Sequence, residues 1–436
     1  MPTGDADYAS TIERLQGALQ FGINPSLDGI RELAATLGCP GRECRCVQVT
    51  GTNGKTSVTR MTGALLSAHG YRTGVYTSPH LVSYTERIEI DGQPLSEADF
   101  VRVFADVFDA AAQLDREFTE FELLTVGALH AFKLHNVEYA CLEVGMGGRW
   151  DATSVVDPTV AVVTGVALDH TDRLGSTREE IAFDKSHIIT AKSIPVIGPG
   201  CEGVDHIFLE RALSLGHPRL LRVGIGDDPD ITWDIVRRPR MPGGVLTLDI
   251  HGLRDYRVGV HSPAYQAANV AIAMGAAGAA LFNVLDPDVT DRALRAMTFP
   301  GRFQVLRREP PLVIDGAHNP DAAAVLTSAI HDSFGGGPPA LVLGIFADKD
   351  VEGIVRALAP AASAFVATEN GSPRCMPAAE LAGVIAGVTG TPAAVAPGIR
   401  DALRIADRLS GGRGVVVSGS LYTVGAVQAL GSAAAV

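Results

Sequence analysis

Residues 47–60 read "VQVTGTNGKTSVTR", a β-branched run that stops at a glycine-rich turn and restarts as a helix. Gly51 and Gly54 let the backbone turn tightly and approach a phosphate closely. The helix from Lys55 offers N–H groups and the positive end of its dipole. Lys55 supplies a charge for β- and γ-phosphates, Thr56 or Ser57 a hydroxyl for metal or phosphate, and Asn53 belongs to the same loop. The common phosphate-loop spacing places a glycine five residues before Gly54; Val49 stands there, so the loop is a shorter variant. A loop of this kind works with an acid at the end of a neighbouring strand that holds Mg2+. Glu143, in "YACLEVGMGGRWDATS", ends an apolar run and opens a glycine run, and its carboxylate suits a hard cation.

The elements that must position these residues alternate. Strands are expected at residues 46–50, 73–77, 139–144, 160–164 and 194–197, each continuously apolar as in a sheet buried on both faces. Helices fall between them; one begins at Ser96, whose Asp99 three residues on suggests a capping box. This order predicts an α/β fold with a parallel sheet covered by helices. Between about 220 and 260 the pattern alternates and carries turn residues, as in a small antiparallel insert. A helix is expected at 265–285. The boundary falls near "MTFPGRFQVL", dividing the chain into residues 1–297 and 298–436. The second part is an α/β domain with strands at 312–315, 340–343, 364–367 and 415–418.

The chain has 436 residues and a formal charge of −13, which argues against a broad nucleic-acid or anionic-membrane surface but not against a local basic pocket. The start lacks a signal-peptide pattern, and the longest apolar run, 270–282, is too short to span a bilayer and reads as a buried helix. The six cysteines form no CxxC pair, so reduced thiols in a cytoplasmic protein are the expectation. A monomer acting on small molecules, with no nucleic-acid and no membrane partner, is expected.

The chain resembles the folylpolyglutamate synthase/dihydrofolate synthase family of the Mur-ligase superfamily. The resemblance rests on "GTNGKTS", "TSPHLVSYTERI" (77–88), "FE" (121–122), "EVGMGGRWDATS" (143–154), "DHTDRLG" (169–175), "FPGRF" (299–303), "DGAHNP" (315–320), "FADKD" (346–350) and "SGSLYTVG" (418–425), in the family's order across almost the whole chain. It implies an N-terminal ATPase domain and a C-terminal Rossmann-like domain, with the active site between them. The implied reaction is phosphorylation of a carboxylate by ATP, then attack by the amine of L-glutamate on the acyl phosphate.

Residue by residue, the resemblance assigns Mg2+, as two ions, to Ser78, Glu143 and His170, and a carbamate to Lys185. Around Lys185 the family's Glu-Lys-Ala-Gly-Ile reads Asp184-Lys185-Ser186-His187-Ile188. For ATP it assigns Asn269, Arg302 and Asp315. His318, a catalytic candidate at the carboxyl end of an expected C-domain strand, where α/β folds usually bind ligands, goes with Ser420 and Tyr422 to the incoming glutamate or the domain cleft. The folate or dihydropteroate falls to Pro25, Ser26, Leu27 and Asp28, to Thr119–Glu122 with Phe121 and Glu122, and to Trp150, Asp151 and Ala152. Ser154 stands where the family commonly has Asn. With Ser186 and His187 it leaves open a second reading, an amide ligase acting on a non-folate carboxylate. A third, non-catalytic reading conflicts with the joint presence of Lys55, Glu143, His170 and Lys185.

Overall fold

The computed structural model describes residues 7–18 and 26–433; Pro25 lies outside them. Eight strands build the first sheet: β1 (Arg45–Thr50), β2 (Thr73–Tyr76), β3 (Ile88–Ile90), β4 (Gln93–Pro94), β5 (Tyr139–Glu143), β6 (Val160–Gly165), β7 (Ile194–Gly200) and β8 (Leu221–Arg222). Their order is β4-β3-β2-β5-β1-β6-β7-β8. β1 runs parallel to β5 and β6, one on each side. The carboxyl ends of these three strands therefore lie side by side where chain order reverses, the usual ligand position in open α/β sheets. Only the β2–β3–β4 edge is antiparallel within this sheet.

The central strands β1, β5 and β6 are buried on both faces. On one face the Lys55–Ala68 and Ala267–Leu281 helices pack together, and a Cβ on Gly63 would meet Val75. On the other, Phe132 of the Glu120–Leu134 helix presses onto Gly74, within a core that also holds Phe100, Phe104 and Leu129. Each such fully buried side chain contributes roughly 1.5–3 kcal/mol.

Three further strands, β9 (Thr232–Arg237), β10 (Leu246–His251) and β11 (Tyr256–Val260), form a sheet of their own in the order β11-β10-β9. The last sheet holds β12 (Gln304–Arg308), β13 (Pro311–Ile314), β14 (Ala340–Leu343), β15 (Ala364–Ala367), β16 (Ala394–Val395) and β17 (Val415–Ser418), ordered β12-β13-β17-β14-β15-β16. It is parallel apart from β12. Contacts divide the chain into two compact units. The second comprises Ile235–Leu248, Gly259–Gln266 and Arg295–Val436, and the first comprises the rest.

Two local expectations change. Ser96 does cap the Glu97–Ala111 helix by accepting from Asp99 N, but Asp99 bonds the Ser96 hydroxyl instead of reaching back to its backbone. Aspartate is a methylene shorter than the Glu of a reciprocal box; full boxes form at Ser83/Glu86, Thr119/Glu122 and Thr177/Glu180. The helix expected at 265–285 begins as a 3-10 turn at Ala264–Gln266 and is α-helical over Ala267–Leu281. Among the described residues no helix is long and apolar enough to cross a membrane.

Candidate active site

The phosphate loop leaves β1 at Thr50. Gly54 has φ 87°, and a Cβ there would lie 2.5 Å from Asn269 Oδ1, so only glycine lets Asn269 seat against the loop. Gly51 is equally constrained, since a Cβ would fall 1.9 Å from Thr164 Oγ1. The Thr164 hydroxyl at the end of β6 donates to Asn53 O at 2.6 Å, and Thr52 N donates to Gly165 O at 2.9 Å. Lys55 begins the helix; its Nζ donates to Gly51 O at 2.9 Å and to Thr52 O at 3.2 Å. Ser57 is buried in the first turn.

At the end of β5, Glu143 is 2% exposed. Its Oε1 accepts from the Thr56 hydroxyl at 2.8 Å and its Oε2 from Ser78 N at 3.2 Å. Thr56, Ser78 and Glu143 thus form one oxygen-rich cluster beside the loop, the donor chemistry a hard divalent cation prefers. His170 has left-handed φ 50° and is half exposed; its backbone N donates to Asp169 Oδ1 at 3.0 Å. No group of three His, Cys, Asp or Glu side chains suited to a metal occurs among the described residues, so an ion here would rely on hydroxyls and one carboxylate.

Lys185, on the Arg178–Ser186 helix, is 3% exposed, and its Nζ donates to the same Gly51 carbonyl at 3.3 Å. Burial, then the neighbouring Lys55 charge, push its pKa down to about 7 against the pull of Asp184, Asp169 and Asp151. An amine poised near neutrality is nucleophilic at physiological pH.

The substrate segments are placed unevenly. Trp150 is 41% exposed, with the Arg149 guanidinium 4.9 Å from its ring. Asp151 is buried and its carboxylate is engaged internally: it accepts from Met146 N, Thr153 N and the Thr153 hydroxyl, and burial raises its pKa. Ala152 is buried behind it. Phe121 packs against Tyr76, with ring centroids 6.1 Å apart. The Glu122 carboxylate closes its own helix cap by accepting from Thr119 N and the Thr119 hydroxyl. Leu27 is core, whereas Ser26 and Asp28 bond each other at an exposed helix start.

In the second unit, Asp315 follows β13 and is buried. Its Oδ2 accepts from Phe303 N at 2.8 Å and from the Tyr265 hydroxyl at 3.2 Å, and its Oδ1 accepts from Ala317 N at 2.9 Å. Burial raises its pKa, opposed first by Arg302. His318 is half-buried, its Nδ1 donating to Gly316 O at 2.8 Å. Ser420, buried after β17, accepts from Tyr422 N at 3.1 Å; Tyr422 itself is 55% exposed. Asp315, His318 and Ser420 sit where the adjacent strands β13 and β17 end.

Sequence reasoning overlooked Thr164, Gln48 and Tyr265. Polar residues inside apolar strands were the available signal for the first two, because a buried polar group requires a partner.

A parallel sheet whose phosphate loop faces a strand-end carboxylate defines an ATP-handling enzyme, and the family comparisons agree on its class. The Mur ligase middle domain matches residues 49–277, and the Mur ligase glutamate ligase domain matches residues 301–421. The chain is 35% identical to the dihydrofolate synthase/folylpolyglutamate synthase of Mycobacterium tuberculosis, over 94% of this chain and 90% of that protein. M. tuberculosis folylpolyglutamate synthase complexed with ADP superposes with a TM-score of 0.88 at 34% identity, covering 97% of this chain and 98% of that one. A bifunctional folylpolyglutamate synthase/dihydrofolate synthase from Yersinia pestis, complexed with AMPPNP and a manganese ion, gives 0.84 at 32% identity, covering 99% of each chain. The chain belongs to the folylpolyglutamate synthase/dihydrofolate synthase family of Mur ligases, which are ATP-dependent, ADP-forming acid–amino-acid ligases.

Proposed function

We propose that the chain joins L-glutamate to a folate or dihydropteroate carboxylate through an acyl phosphate. The observation that carries this reading is the gathering of Lys55, Thr56, Ser78 and Glu143 at one strand-end corner, with Lys185 on the same loop carbonyl. Bound there, Mg2+ would offset the negative charge that develops in phosphoryl transfer. Thr56, Ser78 and Glu143 would hold it, and His170 with a carbamate on Lys185 would serve a second ion. The neutral Lys185 amine can attack CO2 and lose a proton, giving an anionic carbamate in place of an ammonium.

An acceptor carboxylate oxygen bonds the γ-phosphorus as the bond to ADP breaks, with Lys55 stabilising the equatorial oxygens. The glutamate amine then adds to the acyl carbon and loses a proton. Collapse breaks the C–O bond and releases phosphate. Asn269, Arg302 and Asp315 hold the nucleotide, with Arg302 offering a planar fork to phosphate oxygens and Asp315 accepting from ribose hydroxyls. His318, Ser420 and Tyr422 receive glutamate. Trp150 and Phe121 supply flat surfaces for a pterin.

Ser154, Ser186 and His187 give no support to a different acceptor. Each hydroxyl or ring N–H donates to a backbone carbonyl: Ser154 to Gly148 O, and both Ser186 and His187 to Phe183 O. The test is phosphate release with ATP, glutamate and a panel of dihydropteroate, reduced folates and unrelated carboxylic acids. Turnover with a pteroate or folate is expected; turnover confined to non-folate acids would sink the acceptor assignment.

A further inference from the structure

β1 reads Arg-Cys-Val-Gln-Val-Thr, and two of its polar residues, Gln48 and Thr50, are buried at 1% and 0% exposure in the middle of the first sheet. Residues two apart on a strand share a face. Both side chains turn to the side where the glycine-rich stretch after Glu143 leaves β5. The Thr50 hydroxyl donates to Gly147 O at 2.6 Å. Gln48 Nε2 donates to the Thr153 and Ser154 hydroxyls, each at 3.0 Å. Ser154 in turn donates to Gly148 O at 2.6 Å, and Thr153 to Asp151 Oδ1, while Asp151 Oδ2 accepts from Met146 N at 2.9 Å. One carboxamide therefore stands at the root of two hydrogen-bond chains, and these grip the turn at Met146 and at Gly148.

A buried amide with both donors directed at hydroxyls is costly to strand, so such a group is kept only where its geometry is needed. An apolar residue would pack β1 at least as well, as Val47 and Val49 do on the opposite face. We propose that Gln48 is a positioning residue: through Ser154 and Thr153 it fixes the turn at residues 145–148, and with it the orientation of Trp150 beyond the turn. That Trp150 lies against the acceptor rests on the reading given above; the fixing of the turn does not.

Trp150 and Trp233 are the two tryptophans of the chain, so a Trp233→Phe background isolates a reporter on this segment. In that background, Gln48→Leu should red-shift Trp150 emission and steepen its quenching by acrylamide, with the protein still folded by circular dichroism. Ser154→Ala cuts the same link from its other end and should move the spectrum the same way. It decides the matter if Gln48→Leu does not fold. Steady-state kinetics of Gln48→Leu, which removes both of these hydrogen bonds, should show acceptor KM raised about five- to tenfold, with ATP KM and kcat far less affected. A loosened Trp150 with unchanged acceptor KM would keep Gln48 as the brace and remove residues 150–152 from the acceptor site. Emission and quenching unchanged in folded Gln48→Leu, or in Ser154→Ala, would overturn the proposal.

Discussion

Around Gly51 two lysines donate to one backbone carbonyl; around Asp315 three donors surround one carboxylate. Both regions lie at the carboxyl ends of parallel strands, yet they bury opposite charges. The Lys55 ammonium over a glycine-rich loop favours an anion with several oxygens. A carboxylate ringed by donors, with lone pairs to spare, favours hydroxyl groups. The two regions thus use the same strand-end geometry but differ in the sign of the group they bury.

The largest expected effect breaks the first region. Lys55→Ala should remain folded, because the side chain bonds loop carbonyls and is not part of the core. Turnover should fall by about a hundred- to a thousandfold, the usual size of lost transition-state charge stabilisation. A purified, folded variant with near-normal kcat would remove Lys55 from phosphate transfer.

The inverted charges also predict opposite pH slopes. Lys185 has a folded pKa of about 7 against an ordinary 10.5, so between those values the unfolded chain binds more protons and stability rises with pH. Asp315 has a folded pKa above its ordinary 3.8, so from that value upward the folded chain binds more protons and stability falls as pH rises through the folded value. Lys185→Met should therefore stabilise the protein at pH 7 by roughly a few kcal/mol, a gain that shrinks toward pH 10.5. Asp315→Asn should flatten the acid limb and leave the alkaline one alone. Denaturant midpoints across pH for the three proteins, in bicarbonate-free buffer, provide the check. A Lys185→Met advantage that persists unchanged at pH 10.5 would mean that the charge is not what burial penalises. Lys185→Ala should lose turnover and regain part of it with short-chain carboxylic acids, which refill an anionic site.

The regular frame was legible because its strands are apolar on both faces; β14, β15 and β17 match residue for residue, and the others are displaced by a residue or a few at their ends. The phosphate loop was legible for a different reason, since φ 87° at Gly54 and a close approach at Gly51 admit little besides glycine. Long-range polar pairing was not legible. Nothing in the local pattern shows that Gln48 reaches residues 153 and 154, or that Tyr265 donates to Asp315 across fifty positions. Asp151 and Glu122 mark the same limit: a carboxylate beside an aromatic reads as a ligand contact, while its lone pairs are already engaged by Met146 and Thr153 in one case and by Thr119 in the other. Sequence pattern records which groups are polar, and tertiary distance decides which are already satisfied.

The smallest effect sharpens the second region. Tyr422, second residue of the Leu421–Ala433 helix, has 55% of its surface in water, so core packing is not its main use. Its ring lies 5.3 Å from that of Phe346, which carries the Arg374 guanidinium 4.5 Å from its centroid; Arg374 also pairs with Asp348 at 2.6 Å. An exposed ring beside an aromatic–guanidinium stack contributes little to stability, and Tyr422→Ala should shift unfolding by no more than about 0.5 kcal/mol. If the ring borders the incoming amino acid, glutamate KM should rise a few-fold while ATP KM stays put, because Asp315 and Arg302 are untouched. Tyr422→Phe separates the hydroxyl from the ring: retention of wild-type glutamate KM assigns the contact to the aromatic face, and loss assigns it to the hydroxyl. A large fall in unfolding midpoint for Tyr422→Ala, with glutamate KM unchanged, would return the residue to a packing role and leave His318 and Ser420 as the amino-acid side of this region.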